Sequence, residues 1–109
     1  MKIVQNGEIL FADVKAADTF ARRFLGLMFR KGLQPGEGLL LTDCGRIHTN
    51  FMRFTIDVVY LSKDFRILAA ETVKPWRLGR RVKDARHVLE LPENGARRLN
   101  ASEPLIPVE

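Results

Sequence analysis

The sequence predicts a small α+β domain, mainly antiparallel β, with a barrel-like sheet and one short helix in its N-terminal half. Three observations lead there. Short runs rich in β-branched and aromatic residues, foremost Ile56, Val58, Val59 and Tyr60, read as strands. Turns carrying glycine or asparagine separate these runs at close intervals. Residues 19–25 are the one long enough stretch with apolar side chains at helical spacing. Many short strands with glycine turns are the pattern of a closed or half-closed barrel. At 109 residues there is room for one core, so residues 1–109 are expected to form a single domain.

Each element has a local reason. Residues 2–5 and 8–14 flank Asn6-Gly7, the pair that supplies the two positive-φ positions of a type I′ hairpin turn. Asp18-Thr19 offers an N-cap, and Phe20, Phe24 and Leu27 then share one helical face, with Gly26 as the stop. Leu27, Met28 and Phe29 are expected to pack as the chain turns. Residues 31–38 hold three glycines and a proline and read as a loop. Strands are expected at 39–42, at 56–61 and, paired back on it across a turn at 62–64, at 66–73. A basic loop follows at 74–86, then a strand at 87–91 and one helical turn over 95–99. The proline-rich tail 104–109 fits nothing more central than an edge strand.

Composition excludes several classes. An apolar fraction of 46% argues against a disordered chain. No apolar run approaches the roughly 20 residues that span a bilayer, and residues 1–11 lack the apolar region of a signal peptide, so no membrane is expected and the expected compartment is the cytoplasm. One cysteine precludes an internal disulfide. The net charge of +5, from 18 Lys and Arg against 13 Asp and Glu, is either a solvated basic surface or an attraction for anionic partners.

Residues 44–61 hold most of the chemistry: Cys44, His48, Thr49, Met52, Arg53 and Asp57 lead straight into an apolar strand. Cys44 and His48 are the candidate nucleophile and base, although their spacing of four is unlike the distant pairs of most thiol enzymes. Adding His87 and Asp57 or Glu90 gives no zinc-like spacing, so no metal and no cofactor are expected. Asp57 and Glu90 sit inside apolar runs, where a charge needs a partner; an ion pair with Arg23 or Arg53 beside His48 is the structural expectation. The functional expectation is a pocket in which Arg23, His48, Thr49, Met52, Arg53, Asp57, Trp76 and Glu90 contact a ligand. In the basic loop, six basic residues surround Trp76, which either folds back on the core or stacks on a base or sugar ring.

Four blocks in order carry a family resemblance. They are residues 23–30, R-x-x-G-L-M-x-R in pattern; the G-L-L-L strand at 38–41; residues 47–57, I-H-T-x-F-M-R-F-x-I-D; and V-L-E-L-P at 88–92 with Gly95. Together they resemble the domain of unknown function 192 family in its compact bacterial branch, over nearly the whole chain. Thr55 stands where that family has a proline, Ser62 and Phe65 replace the aspartate and glycine of its turn, and Ala101-Ser102-Glu103 replaces its C-terminal glycine-aspartate. The resemblance implies a compact β-rich fold and no activity. The leading expectation is a non-enzymatic binding or accessory module whose arginine- and histidine-lined pocket takes a small anionic ligand or a partner peptide. A thiol-dependent hydrolase or transferase using Cys44 and His48 is one alternative. Weak, non-specific nucleic-acid binding through residues 74–86 is another.

Overall fold

A computed structural model describes residues 1–28 and 30–109; Phe29 and the side chains of Phe20 and Phe24 lie outside the described residues, and with them the expected packing of those three rings. Two sheets form. β1 (Lys2–Gln5) and β2 (Glu8–Phe11) make the hairpin, with Asn6 and Gly7 both left-handed at φ 50° and 75° as the turn requires. β1 also pairs with the C-terminal strand, which completes the smaller sheet.

The expected second strand, 8–14, breaks at Ala12. β3 (Asp13–Ala17) leaves for the larger sheet, where it lies parallel to β4 (Glu37–Leu41). Between them comes α1 (Phe20–Leu25), capped by Thr19 Oγ1, which accepts the Arg22 N–H at 3.2 Å, and ended by Gly26 at φ 48°. β5 (Ile56–Leu61), β6 (Ile67–Val73) and β7 (His87–Pro92) add antiparallel strands, giving the order β3-β4-β7-β5-β6. A 3₁₀ turn spans Gly95–Arg98, and β8 (Ile106–Val108) forms the outer edge of the smaller sheet beside β1, where Pro107 costs the ladder little.

The mainly antiparallel β class with one short helix holds, but the sheets do not close into a barrel. The reason lies in β5, whose six residues are all buried. A barrel strand buries one face and exposes the other, so it alternates. A continuous apolar run instead demands cover on both faces. On one side the smaller sheet supplies it with Ile3, Leu10 and Phe11, joined by Leu105 just before β8, against Leu40, Val59, Leu61, Leu89 and Leu91. On the other side Leu27, Ile47 and Met52 cover Leu39, Leu41, Val58, Tyr60 and Val88. Among the described residues, no helix is long and apolar enough to cross a membrane.

Candidate functional site

The second covering layer is incomplete. A cleft of about 240 Å³ opens between the end of α1 with the turn after it, the segment running from Asp43 to Met52, and the sheet beneath. Leu27, Leu41, Ile47 and Met52 make its apolar walls; Arg23, Cys44, Arg46, His48 and Glu90 bring polar groups to it.

Glu90 arrives by strand alternation. On β7, Leu89 and Leu91 face the smaller sheet, so Val88 and Glu90 face the opposite side. Its neighbours across the ladder are Leu39 and Val58, which offer no polar atom of their side chains. The residue is 3% exposed, and among the described residues no hydrogen bond or salt bridge reaches its carboxyl. Neither carboxyl oxygen is sealed off without a partner, so what exposure remains opens on the cleft. Burial pushes the acid up to about 8. The end of α1 roofs the group: a Cβ on Gly26 would stand 3.7 Å from Glu90 Oε1.

The cleft's cations come from two elements. Arg23 projects from the last turn of α1 and donates from Nη1 to the Thr42 carbonyl at 3.2 Å. Arg46 donates from Nε to the Gly79 carbonyl at 2.9 Å. Among the described residues neither forms an ion pair with a carboxylate. Cys44 feels both Glu90 and Arg23, and burial is the main cause that pushes its thiol up. Its S–H donates to the Arg46 carbonyl at 3.1 Å, and His48 Nδ1 accepts the Asn50 N–H at 3.2 Å.

Of the eight residues expected to contact a ligand, the structure brings Arg23, His48, Met52 and Glu90 to one cleft, together with Cys44. The other four lie elsewhere. Thr49 is fully buried and ties down the basic loop: its Oγ1 donates to the Lys74 carbonyl at 2.6 Å and accepts the Arg77 N–H at 2.8 Å. Asp57 faces the opposite side of the sheet, accepting from Thr72 Oγ1 at 2.9 Å and from the Ala96 N–H at 3.0 Å. The expected ion pair of Asp57 or Glu90 with Arg23 or Arg53 is therefore absent among the described residues: hydrogen bonds satisfy Asp57, and burial favours the protonated form of Glu90. Arg53 is exposed. Trp76 does not fold back on the core; it is 56% exposed and packs on Phe51 with ring centroids 4.7 Å apart. Among the described residues, no three of His, Cys, Asp and Glu converge as metal ligands.

Arg46 escaped the sequence reading. It stands two residues from both Cys44 and His48, the period of an extended chain, and that spacing was the available signal.

Fold and cleft together define a two-sheet β domain with one half-covered face and a small, internally charged cavity there. The chain belongs to the DUF192 family, described as "Uncharacterized ACR", whose profile matches residues 1–103. It is 37% identical over 83 residues to a UPF0127 protein of Pyrococcus horikoshii, covering 73% of this chain and 72% of that one. It is 34% identical over 92 residues to a UPF0127 protein of Pyrococcus furiosus, covering 82% and 79%. A protein of unknown function from Novosphingobium aromaticivorans, solved by crystallography, shares the fold with a TM-score of 0.80 at 18% identity, over 97% of this chain and 82% of that one.

Proposed function

We propose that this chain is a non-enzymatic binding module whose cleft takes a small molecule, or the end of a peptide, bearing an anionic group. One observation carries the reading. Arg23 and Arg46 line the same small, largely apolar cavity, and neither guanidinium is neutralised by a carboxylate among the described residues. Arginine presents a fixed fork of donors suited to carboxylate and phosphate. The cavity lies below the roughly 300–1,000 Å³ of sites for drug-sized ligands, which points to a metabolite-sized group.

The thiol-enzyme alternative has Cys44 and His48 in the same cleft in its favour. Against it stands the state of the thiol, raised by burial and engaged as a donor, where a thiol enzyme needs a thiolate. Nucleic-acid binding would use the exposed Phe51–Trp76 pair among the basic residues of the 74–86 loop, away from the cleft. The cytoplasm is the compartment this reading assigns, because a single unpaired Cys44 suits reducing conditions.

The test is thermal denaturation with small carboxylates and inorganic phosphate. A fitting anion at a hundredfold excess over its Kd should stabilise the fold by about 2.7 kcal/mol. Arg23→Gln should remove that effect. If no anion raises the melting temperature, or if Arg23→Gln is stabilised as much as the parent, this reading is wrong.

A further inference from the structure

The cleft holds two arginines and a buried acid that do not meet. Arg23 lines it from α1 and Arg46 from the segment after β4, while Glu90 lines it from the middle strand of the sheet. Cys44 lines the same cleft as Glu90 and both arginines. Yet among the described residues no guanidinium comes within salt-bridge distance of the carboxyl. A structural ion pair would have closed this gap, because a buried carboxyl without a partner is costly. Leu27, Leu41, Ile47 and Met52 line the space between with apolar surface.

We infer that the cleft recognises a small zwitterion: a primary ammonium held by Glu90, a carboxylate held by Arg23 and Arg46, and a short apolar side chain against Leu27, Ile47 and Met52. Free apolar amino acids are the simplest members of this class. This rests on the anion-binding reading above and adds the ligand's second charge. The ammonium supplies the donors that the protein withholds from Glu90. The carboxylate takes the guanidinium N–H groups that Arg23 and Arg46 do not spend on the Thr42 and Gly79 carbonyls. The arginines would repel a plain amine, and a plain carboxylate brings no cation to favour ionised Glu90, which releases its proton to solvent when the ammonium docks, so each half of the ligand is needed. Asp43, Cys44 and His48 are the other titratable groups lining the cleft. The Cys44 S–H and the Asp43 N–H are engaged within the protein, on the Arg46 carbonyl and on His87 Nδ1.

Three probes of one carbon skeleton separate the parts: L-leucine, 4-methylpentanoate, which lacks the amine, and isopentylamine, which lacks the carboxylate. Titration calorimetry on the whole chain should give leucine an affinity at least about tenfold tighter than either fragment, the scale of one charge-assisted contact. Glu90→Gln should bring leucine down to the level of 4-methylpentanoate and leave 4-methylpentanoate unweakened. Leucine binding no tighter than 4-methylpentanoate overturns the inference while the anion reading stands. Isopentylamine outbinding leucine overturns it too, since the arginines would then contribute nothing. If none of the three binds, this inference falls, and the anion reading is decided by the carboxylate and phosphate series above. The probe series is run on the parent chain, so the result does not hang on the variant folding.

Discussion

Glu90 shows how one residue can be costly to the fold and informative about the site. Its carboxyl ionises near pH 8 in the folded chain against an ordinary value of 4.5, because burial disfavours the charged form. Between those two values the folded chain holds a proton that the unfolded chain has released. Stability therefore falls as pH rises through this window, with a limiting slope of about 1.4 kcal/mol per pH unit from this group. Below pH 4.5 this loss is absent, and above 8 it is fully developed. Glu90→Gln should thus be more stable than the parent at neutral and alkaline pH. Urea midpoints of both proteins from about pH 5 to about pH 9 measure this; a gap that does not widen with pH would mean that the carboxyl is not buried alone. Phe65 illustrates a different local conflict. It sits at φ 63° in the turn between β5 and β6, in the left-handed region that favours glycine. The backbone cost of about 1 kcal/mol or more is offset by packing, since its ring stacks on His87 with centroids 4.7 Å apart and joins the smaller-sheet core.

Between elements, Asp57 joins β5 to the 3₁₀ turn that follows β7. One carboxyl oxygen accepts the Ala96 N–H and the other the Thr72 hydroxyl, and the residue is 4% exposed. Asp57→Ala leaves the Ala96 N–H without its acceptor at the start of that turn. The expected loss is about 1–3 kcal/mol, read as a lower urea midpoint. That is smaller than breaking a buried ion pair, about 3–5 kcal/mol, and a drop of that size would mean a cation is involved after all. A second close contact comes where Gly45 passes Ala85. A Cβ there would stand 2.7 Å from the Ala85 carbonyl oxygen, which is backbone and cannot rotate away. Gly45→Ala should cost about 1–3 kcal/mol by overpacking and shift the loop that bears Cys44 and Arg46, so thermal stability should fall; an unchanged melting temperature would show that the loop has slack.

Across the molecule, stability should be graded by layer. β7 and β5 lie inside the larger sheet, and both faces of β5 are covered. α1 has six residues, and β3, β6, β2 and β8 are sheet edges. Hydrogen exchange should therefore release the amides of β5 and β7 last, and those of α1 and the edge strands first. Exchange from β5 as fast as from β6 would contradict the two-sided core. The layer that lines the cleft beside Glu90 is built from the end of α1 and the 43–52 segment, the less regular parts of the chain.

Much of this was readable along the chain. The Asn6-Gly7 hairpin, the Thr19 cap, the Gly26 stop, the core strand at 56–61 and the edge character of the tail all follow from near neighbours, because turns, caps and runs of β-branched residues are local physics. The cluster at residues 44–52 was also legible as the place where chemistry gathers. What the chain order could not supply was which face each residue meets. Asp57 and Glu90 look alike in sequence, each a carboxylate in an apolar strand. Asp57 falls on the side where the Ala96 N–H waits, and Glu90 on the side where none of the described residues answers it. The parallel pairing of β3 with β4, the second sheet in place of barrel closure, and the meeting of Arg23, Arg46 and Glu90 around one cleft come from contacts between distant segments. Such contacts are set by how two apolar faces of one sheet are covered, and that is a property of the packed molecule.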